Sequence, residues 1–245
     1  MTRRLILAHG FTQTGRSWAT ATEALAARLP DAEFLAVDLP GHGDAAHVRA
    51  DLWGAADHLT AVGEHGVYVG YSMGGRIALH AALGHPEAVQ GLVLIGATAG
   101  IDGAAERAAR RDADETLAER LEEIGVEAFV DHWLTNDLFA GLTPETSLRE
   151  DRLRNTVDGL ASSLRMTGTG TQAPLWSRLG EIEAPTLVLA GERDTKFCSL
   201  GERMASAIPH ATFEVIPDAG HSVHLERPTA TAATIATWLD GWLGV

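Results

Sequence analysis

The sequence Val67–Arg76, VYVGYSMGGR, determines the predicted fold because it leads from a strand into a helix through a serine between two glycines. The run VYV is β-branched and aromatic, which favours a strand, and the run RIALHAAL that follows is compatible with a helix. Between them, GYSMG fits the pattern G-x-S-x-G, in which the chain turns from strand to helix within about one residue. Gly70 and Gly74 leave room for that turn, where a Cβ would crowd it. Ser72 is therefore predicted at the tip with an exposed hydroxyl, and the N–H of Met73 points towards a ligand from the helix start.

The composition is that of an ordinary globular protein. The 245 residues are 45% hydrophobic and 21% charged, enough for one large α/β domain with a substantial core. A formal net charge of −14 argues against nucleic acid and anionic membranes as partners. The single cysteine, Cys198, excludes an intrachain disulfide and fits a reducing compartment. The first apolar run has only four residues, too short for a signal peptide or a membrane span, so we expect a cytoplasmic location. The sequence leaves the oligomeric state open.

Strand-like and helix-like segments alternate through most of the chain, which predicts βαβ units and a parallel sheet with helices on both faces. The strand-like runs are residues 5–8, 34–37, 67–69, 91–95, 185–190 and 211–216. In such a sheet the loops after the strands gather at one edge, and catalytic groups are expected there.

The strand signals stop between Ala99 and Thr171. Residues 107–123, 126–134 and 146–165 have helical patterns and many charges. We interpret residues 99–171 as a helical cap inserted into a single α/β domain whose core comprises residues 1–98 and 172–245. The alternative is a separate small helical domain without a catalytic role.

Three of the predicted strand-terminal loops carry the groups of a serine-dependent site. A serine hydroxyl becomes a useful nucleophile or base only when a histidine takes its proton, and a carboxylate then orients that histidine. Ser72, Asp194 and His221 occur in the chain order serine, acid, histidine. Asp218 is the second candidate for the acid. Neither Cys198 nor the histidine pair at 221 and 224 has a metal-ligand spacing, so no metal is expected.

The motifs HGF, DLPGHG, GYSMGG, GERD and AGHSVHLERP, taken in this order, resemble the α/β-hydrolase superfamily over nearly the full length of the chain. The resemblance implies the α/β-hydrolase fold, with Ser72, Asp194 and His221 as the catalytic residues. It also implies that the loop after the first strand supplies the N–H of Phe11, which forms an oxyanion hole together with the N–H of Met73.

Four segments, GYSMGGRIALH, GTGTQAPLW, ERDTKF and AGHSVHLERP, are similar to the 2-succinyl-6-hydroxy-2,4-cyclohexadiene-1-carboxylate synthases, lyases of menaquinone biosynthesis that have this fold. The similarity implies elimination of pyruvate from 2-succinyl-5-enolpyruvyl-6-hydroxy-3-cyclohexene-1-carboxylate, with Ser72 as the base and with no metal or organic cofactor. The substrate-binding residues it implies are Arg76, Arg110, Arg154, Trp133, Tyr71 and Lys196.

The chemistry of two of these residues agrees with a small substrate that carries several carboxylates. Arg76 follows the nucleophile, and the only lysine of this acidic chain, Lys196, follows the acid. Each residue also has a structural interpretation. Arg76 could pair with a carboxylate of the cap, Lys196 could be a solvated loop residue, and Trp133 could only pack within the cap.

Two other functions use the same motifs. The first is a serine hydrolase, such as a carboxylesterase, lactonase or C–C bond hydrolase, that forms an acyl-enzyme. The second is a binding protein without turnover, against which the complete set Ser72, Asp194 and His221 argues. Fold and motif do not fix the reaction class, so the charge of the pocket separates lyase from hydrolase. A cationic pocket favours the lyase and an apolar pocket favours the esterase.

Overall fold

Six strands form one parallel sheet in the computed structural model, which describes residues 3–242. The strands are β1 Arg4–Ala8, β2 Glu33–Val37, β3 Gly66–Tyr71, β4 Val89–Ile95, β5 Thr186–Gly191 and β6 Ala211–Ile216. Their spatial order is β2-β1-β3-β4-β5-β6, and each neighbouring pair is parallel. The chain moves outward from β1 to β2 and then returns to place β3 on the other side of β1. Ligand crevices form at such a reversal, outside the carboxyl ends of the strands.

Helices cover both faces of the sheet, as predicted, and the α/β-hydrolase fold is confirmed. Within residues 3–242 the α-helices are α1 Ala19–Ala26, α2 Leu52–Gly63, α3 Met73–Gly84, α4 Ala104–Trp133, α5 Arg149–Arg152, α6 Val157–Thr167, α7 Thr195–Ala207, α8 Val223–Glu226 and α9 Pro228–Trp242. The sequence pattern predicts the last helix over residues 229–243, of which Leu243 lies outside the described residues.

Alternation along each strand fixes which face each side chain covers. Leu5 and Leu7 of β1 pack in a cluster with α1 and α9, whereas Ile6 and Ala8 pack in a second cluster with α2, α3 and α7. Fully burying a leucine or isoleucine side chain contributes roughly 1.5–3 kcal/mol. A one-residue slip would move every such side chain to the wrong face, so the register of the strand ends, and of the loops that follow them, is strongly specified.

The region predicted as a cap is helical and has its own apolar cluster, formed by α4 and α6. The two helices predicted at 107–123 and 126–134 correspond to the two parts of α4, which the non-helical backbone of Gly125, at φ 79° and ψ 170°, separates. The single helix predicted over 146–165 is wrong, because α5 ends at Arg152 and α6 begins at Val157. Thr156 causes this break: its side chain accepts the N–H of Gly159 and caps the new helix. The division into a core and a cap at 99–171 stays a prediction.

No helix within residues 3–242 is both long and apolar enough to cross a membrane.

Four histidines, His9, His42, His80 and His224, are buried in the core and in the loops above the sheet. His9 accepts the N–H of Leu39, and His42 accepts the N–H of Thr12. Burial lowers the pKa of His9 and places that of His42 well below its ordinary value. Burial also lowers the pKa of His80 to about 4 and that of His224 to about 3.

Because of these histidines, we expect the free energy of unfolding to fall in acid. As the pH falls below about 6.5, the unfolded chain takes up protons on histidines that remain neutral in the folded chain, so the free energy of unfolding falls. His80 and His224 should each lower it by about 1.4 kcal/mol per pH unit until their folded pKa is reached. Urea unfolding at pH 7.5 and pH 5.5 measures this loss.

The matched variants are His224→Phe, which removes a buried titrating ring, and His132→Gln on the exposed face of α4. We expect His224→Phe to reduce the pH dependence by about one proton, and His132→Gln to leave it unchanged. Equal stability of the unmodified chain at the two pH values would contradict the prediction.

Candidate active site

The turn between β3 and α3 holds Ser72 in a backbone conformation that only close packing maintains. Ser72 has φ 52° and ψ −107°, a combination that a residue with a side chain rarely adopts. Its N–H donates to the carbonyl of Ile95 at 2.8 Å. A Cβ at Gly70 would overlap the carbonyl of Gly74, and a Cβ at Gly74 would overlap the carbonyl of Ala8. The two glycines therefore let α3 start directly against β1 and β3.

The structure brings together the three residues predicted from chain order. His221 Nε2 lies 3.3 Å from Ser72 Oγ, and His221 Nδ1 lies 2.7 Å from Asp194 Oδ2. Because Nδ1–H donates to the carboxylate, Nε2 is left to accept the serine hydroxyl. Asp194 also accepts the N–H of Phe197 at 3.3 Å and so caps α7, which fixes its carboxylate.

Asp218, the second candidate acid, lies elsewhere. It forms an exposed ion pair of 2.9 Å with Arg193, while Asp194 occupies the position next to His221. Asp218 is therefore not the partner of the histidine.

Thr12, next to Phe11 in the loop after β1, has a backbone conformation that its surroundings hold in place. Its φ of 67° is unusual for a β-branched residue, and three bonds hold it there. His42 Nε2 accepts its N–H at 3.3 Å, Asn155 donates to its carbonyl at 2.6 Å, and Arg152 donates to its hydroxyl. Two of these partners come from the helical region. The backbone of Phe11 is thus positioned by the core and by the helices above it together.

A cavity of about 300 Å³ opens over Ser72 and His221, and both Phe11 and Met73 line it. Among the described residues, five cationic and three acidic side chains line this cavity: Arg76, Arg110, Arg152, Lys196 and Arg203, against Asp102, Glu106 and Asp114. Two of the acids are paired, because Asp114 accepts from Arg110 and Asp102 accepts from Arg203. A chain of net charge −14 therefore has a cationic cavity above its serine.

Arg76 is a buried cation in the first turn of α3. Its Nη1 donates to the carbonyl of Thr167 at 2.7 Å rather than to a carboxylate of the cap. Burial, with a further contribution from nearby Arg110, lowers the pKa of Arg76 to about 10. The side chain remains charged at neutral pH, and one carbonyl leaves most of its donors unused.

Arg154 does not line this cavity, which corrects the predicted substrate contact. Its side chain lies in a separate groove beside Gly15 and Asp38, and Arg152 lines the cavity instead. α5 ends at Arg152, so Arg154 lies beyond it. Arg152 donates from Nε to the carbonyl of Ser147 at 2.8 Å and so turns inward, and two positions later the side chain points away.

The remaining predicted residues all line the cavity. The hydroxyl of Tyr71 lies 2.7 Å from that of Ser222, and burial raises the pKa of Tyr71. Trp133 packs edge-on against Phe11, with 5.3 Å between ring centroids. Lys196 is exposed at the start of α7.

Arg203 and Asp114 were not predicted as cavity residues, although their spacing carried a signal. Lys196, Leu200 and Arg203 line the cavity at spacings of four and three residues, and Glu106, Arg110 and Asp114 do so at spacings of four. Both sets lie on one face of a helix. Within residues 3–242 there is no group of three or more His, Cys, Asp or Glu side chains placed to hold a metal ion.

Residues 5–234 match the profile of the alpha/beta hydrolase family. The chain therefore belongs to the α/β-hydrolase family. Within it, the chain is similar to enzymes named 2-succinyl-6-hydroxy-2,4-cyclohexadiene-1-carboxylate synthase. The enzyme of that name from Serratia proteamaculans (strain 568) is 33% identical over 96% of this chain and 92% of its own length. A Bacillus subtilis (strain 168) protein, to which the name is given provisionally, is 36% identical over 96% of this chain and 89% of its own.

The chain is also similar to solved structures. The structure of MenH from S. aureus matches with a TM-score of 0.91 and 30% identity, covering 100% of this chain and 96% of that chain. The chain is thus an α/β-hydrolase-fold enzyme that is similar to the 2-succinyl-6-hydroxy-2,4-cyclohexadiene-1-carboxylate synthases.

Arg152, the last residue of α5, and Arg154, two positions later, are expected to differ in their effect on stability. Arg152 is 1% exposed and joins the helical region to Thr12, whereas the side chain of Arg154 is 38% exposed. We expect Arg152→Met to lower the free energy of unfolding by about 1–3 kcal/mol, because it leaves buried acceptors without a donor. We expect Arg154→Met to change it by less than about 0.5 kcal/mol. Urea unfolding of both variants measures the difference, and equal effects would contradict the assignment of Arg152 as an anchor.

Proposed function

We propose that this enzyme is a carbon–oxygen lyase that eliminates pyruvate from 2-succinyl-5-enolpyruvyl-6-hydroxy-3-cyclohexene-1-carboxylate. The product is 2-succinyl-6-hydroxy-2,4-cyclohexadiene-1-carboxylate. The observation that carries the proposal is the charge of the cavity over Ser72, because five cationic and only three acidic side chains line it in an otherwise acidic protein. A substrate with three carboxylates fits this charge, whereas a neutral ester does not require it. The names of the similar enzymes support the same reaction.

In the proposed mechanism Ser72 acts as a base. His221, oriented by Asp194, takes the hydroxyl proton, and Ser72 takes a proton from the ring carbon that bears the succinyl carbonyl. The electron pair released there shifts through the ring double bond, and the bond from the ring to the enolpyruvyl oxygen breaks. The leaving enolate accepts a proton and becomes pyruvate, so the two products together contain all atoms of the substrate.

The charge that develops on the succinyl carbonyl oxygen needs donors fixed in advance. We assign this role to the N–H groups of Phe11, in the loop after β1, and Met73, at the start of α3, because both residues line the cavity over Ser72. The bonds that hold Thr12 support the assignment, because they fix the backbone next to Phe11 before substrate arrives.

Arginines are suited to the substrate carboxylates because a guanidinium binds a carboxylate through two parallel hydrogen bonds. We assign Arg76, Arg110 and Arg152 to this role, with Lys196 at the exposed end of the cavity. Trp133 and Phe11 pack against each other on its apolar wall, where they would contact the substrate ring.

A serine hydrolase is the alternative function of the same three residues. In that reaction Ser72 attacks a carbonyl carbon and forms an acyl-enzyme that water then hydrolyses. Both reactions need Ser72, but they differ in their need for Arg76. Only a substrate with a carboxylate near the reacting carbon gains from that arginine.

Two variants test the lyase reaction by the release of pyruvate from the proposed substrate. We expect Ser72→Ala to reduce kcat by on the order of 10³-fold, because it removes the base. We expect Arg76→Ala to reduce kcat/KM by about 10- to 100-fold, because it removes a charge-assisted bond to a carboxylate. Arg154→Ala is the control and should retain activity, because Arg154 lies in a separate groove.

Hydrolysis of short-chain p-nitrophenyl esters by the same preparations separates the alternatives. Ester turnover that depends on Ser72, without release of pyruvate, would overturn the lyase proposal and leave a hydrolase. Pyruvate release that is insensitive to Arg76 would retain the reaction but contradict the proposed role of the cationic cavity.

A further inference from the structure

Asp114 is a buried acidic residue in the wall of the cavity, and the proposed reaction gives it no role. Its side chain is only 2% exposed, yet it lies in a cavity that would bind an anion. A carboxylate in that place repels the substrate, so it requires a reason. We propose that Asp114 is a positioning residue, which together with the segment Thr167–Gly170 holds Arg110 in the cavity beside Arg76. The identity of the bound anion rests on the proposed function, whereas the positioning itself does not.

The contacts of Asp114 join two parts of the helical region. One carboxylate oxygen accepts Arg110 Nε at 2.8 Å, and the other accepts the N–H of Gly170 at 3.2 Å. The side chain of Arg110 is 41% exposed, so packing alone does not hold it. Its ion pair with a fixed, buried carboxylate therefore determines where the guanidinium lies.

The segment after α6 is pressed against α4 rather than free to move. A Cβ at Gly170 would overlap the backbone N–H of Arg111 and lie 2.7 Å from the carbonyl carbon of Arg110. A Cβ at Gly168 would lie 2.6 Å from the carboxylate of Asp114. At both positions lack of space excludes a side chain. The backbone of Gly168 itself, at φ −57° and ψ 155°, is one that other residues also adopt. The GTG sequence thus forms a close contact on which Asp114 and Arg110 both depend.

The same segment also holds Arg76, through the 2.7 Å bond from Nη1 to the carbonyl of Thr167. One short segment therefore fixes both arginines, one through its carbonyl and the other through Gly170 and Asp114. Two guanidinium groups at one site repel each other. Arg110 lowers the pKa of Arg76, and Asp114 opposes that effect. Without the carboxylate, the exposed Arg110 would be free to turn into the solvent.

Binding of a stable dicarboxylate distinguishes positioning from simple electrostatics, because the two predict opposite signs. The probe is 2-succinylbenzoate, an aromatic dicarboxylate that differs from the proposed product by one water. Asp114→Asn removes a negative charge from the cavity, so an electrostatic effect alone would tighten binding. Positioning predicts instead that the Kd from calorimetry rises by about tenfold, as it should for Arg110→Ala.

A double-variant cycle shows whether Asp114 acts through Arg110. We expect the Asp114→Asn/Arg110→Ala double variant to bind no more weakly than Arg110→Ala alone. Glu115→Gln is the matched control, because Glu115 is the next residue and pairs with Arg165 on the outer face. It should leave Kd and KM unchanged. Tighter binding by Asp114→Asn, or additive effects in the cycle, would overturn the proposal.

A measurement without ligand keeps the test independent of the proposed reaction. The Nε–H of Arg110 donates to a buried carboxylate. In the unmodified protein we therefore expect this proton to exchange slowly with solvent, as measured by ¹⁵N-resolved NMR. We expect this protection from exchange to be lost in Asp114→Asn, reduced in Gly170→Ala and retained in Glu115→Gln. Thermal melting curves verify that all three variants are folded. Retained protection in Asp114→Asn would overturn the positioning role. Failure of the unmodified protein to bind 2-succinylbenzoate, with protection intact, would count against the proposed function and leave the positioning in place.

Discussion

The close approach of α3 to the sheet is the constraint on which the rest of the site depends. The backbone at Gly74 lies against the carbonyl of Ala8, so the helix begins between β1 and β3, where the strand order reverses. This contact brings together Ser72, the N–H at the start of α3 and the loop after β1. The unusual dihedral angles of Ser72 are maintained because the packing around the turn leaves no alternative.

Electrostatics then divides the molecule into an acidic outside and a cationic cavity. The chain carries a net charge of −14, yet the lining of the cavity has more arginine and lysine than acid. Burying a guanidinium costs free energy unless it is hydrogen-bonded. In this protein the acceptors are carbonyls, a hydroxyl and one buried carboxylate. Because most of these partners are neutral acceptors, the arginines keep a charge that an anion can use.

The sequence predicted the features that depend on local pattern and missed those that depend on long-range packing. The turn at Ser72, the six strands and the juxtaposition of Asp194 with His221 follow from strand alternation and from the rule that parallel strands end at one edge. The helices of the cap region were harder, since a four-residue helix such as α5 leaves no periodic signal. There the resemblance implied a substrate contact by Arg154, whereas Arg152, two residues earlier, lines the cavity. Asp114 could not be recognised, because its burial depends on glycines more than fifty residues later in the chain.

The bonds around Thr12 have a consequence for how this region evolves and how it can be re-engineered. They join residues of the first loop to Arg152 and Asn155, 140 and 143 positions away, and Asp151 adds another bond to Thr14. The helices above the sheet are therefore not a separable module. A chimera that took residues 99–171 from a family member without an arginine and an asparagine at 152 and 155 would lose the partners of Thr12, and the loop that carries Phe11 would relax even though the sheet and Ser72 were untouched. Substrate preference and the geometry of the reacting centre are inherited together in this chain.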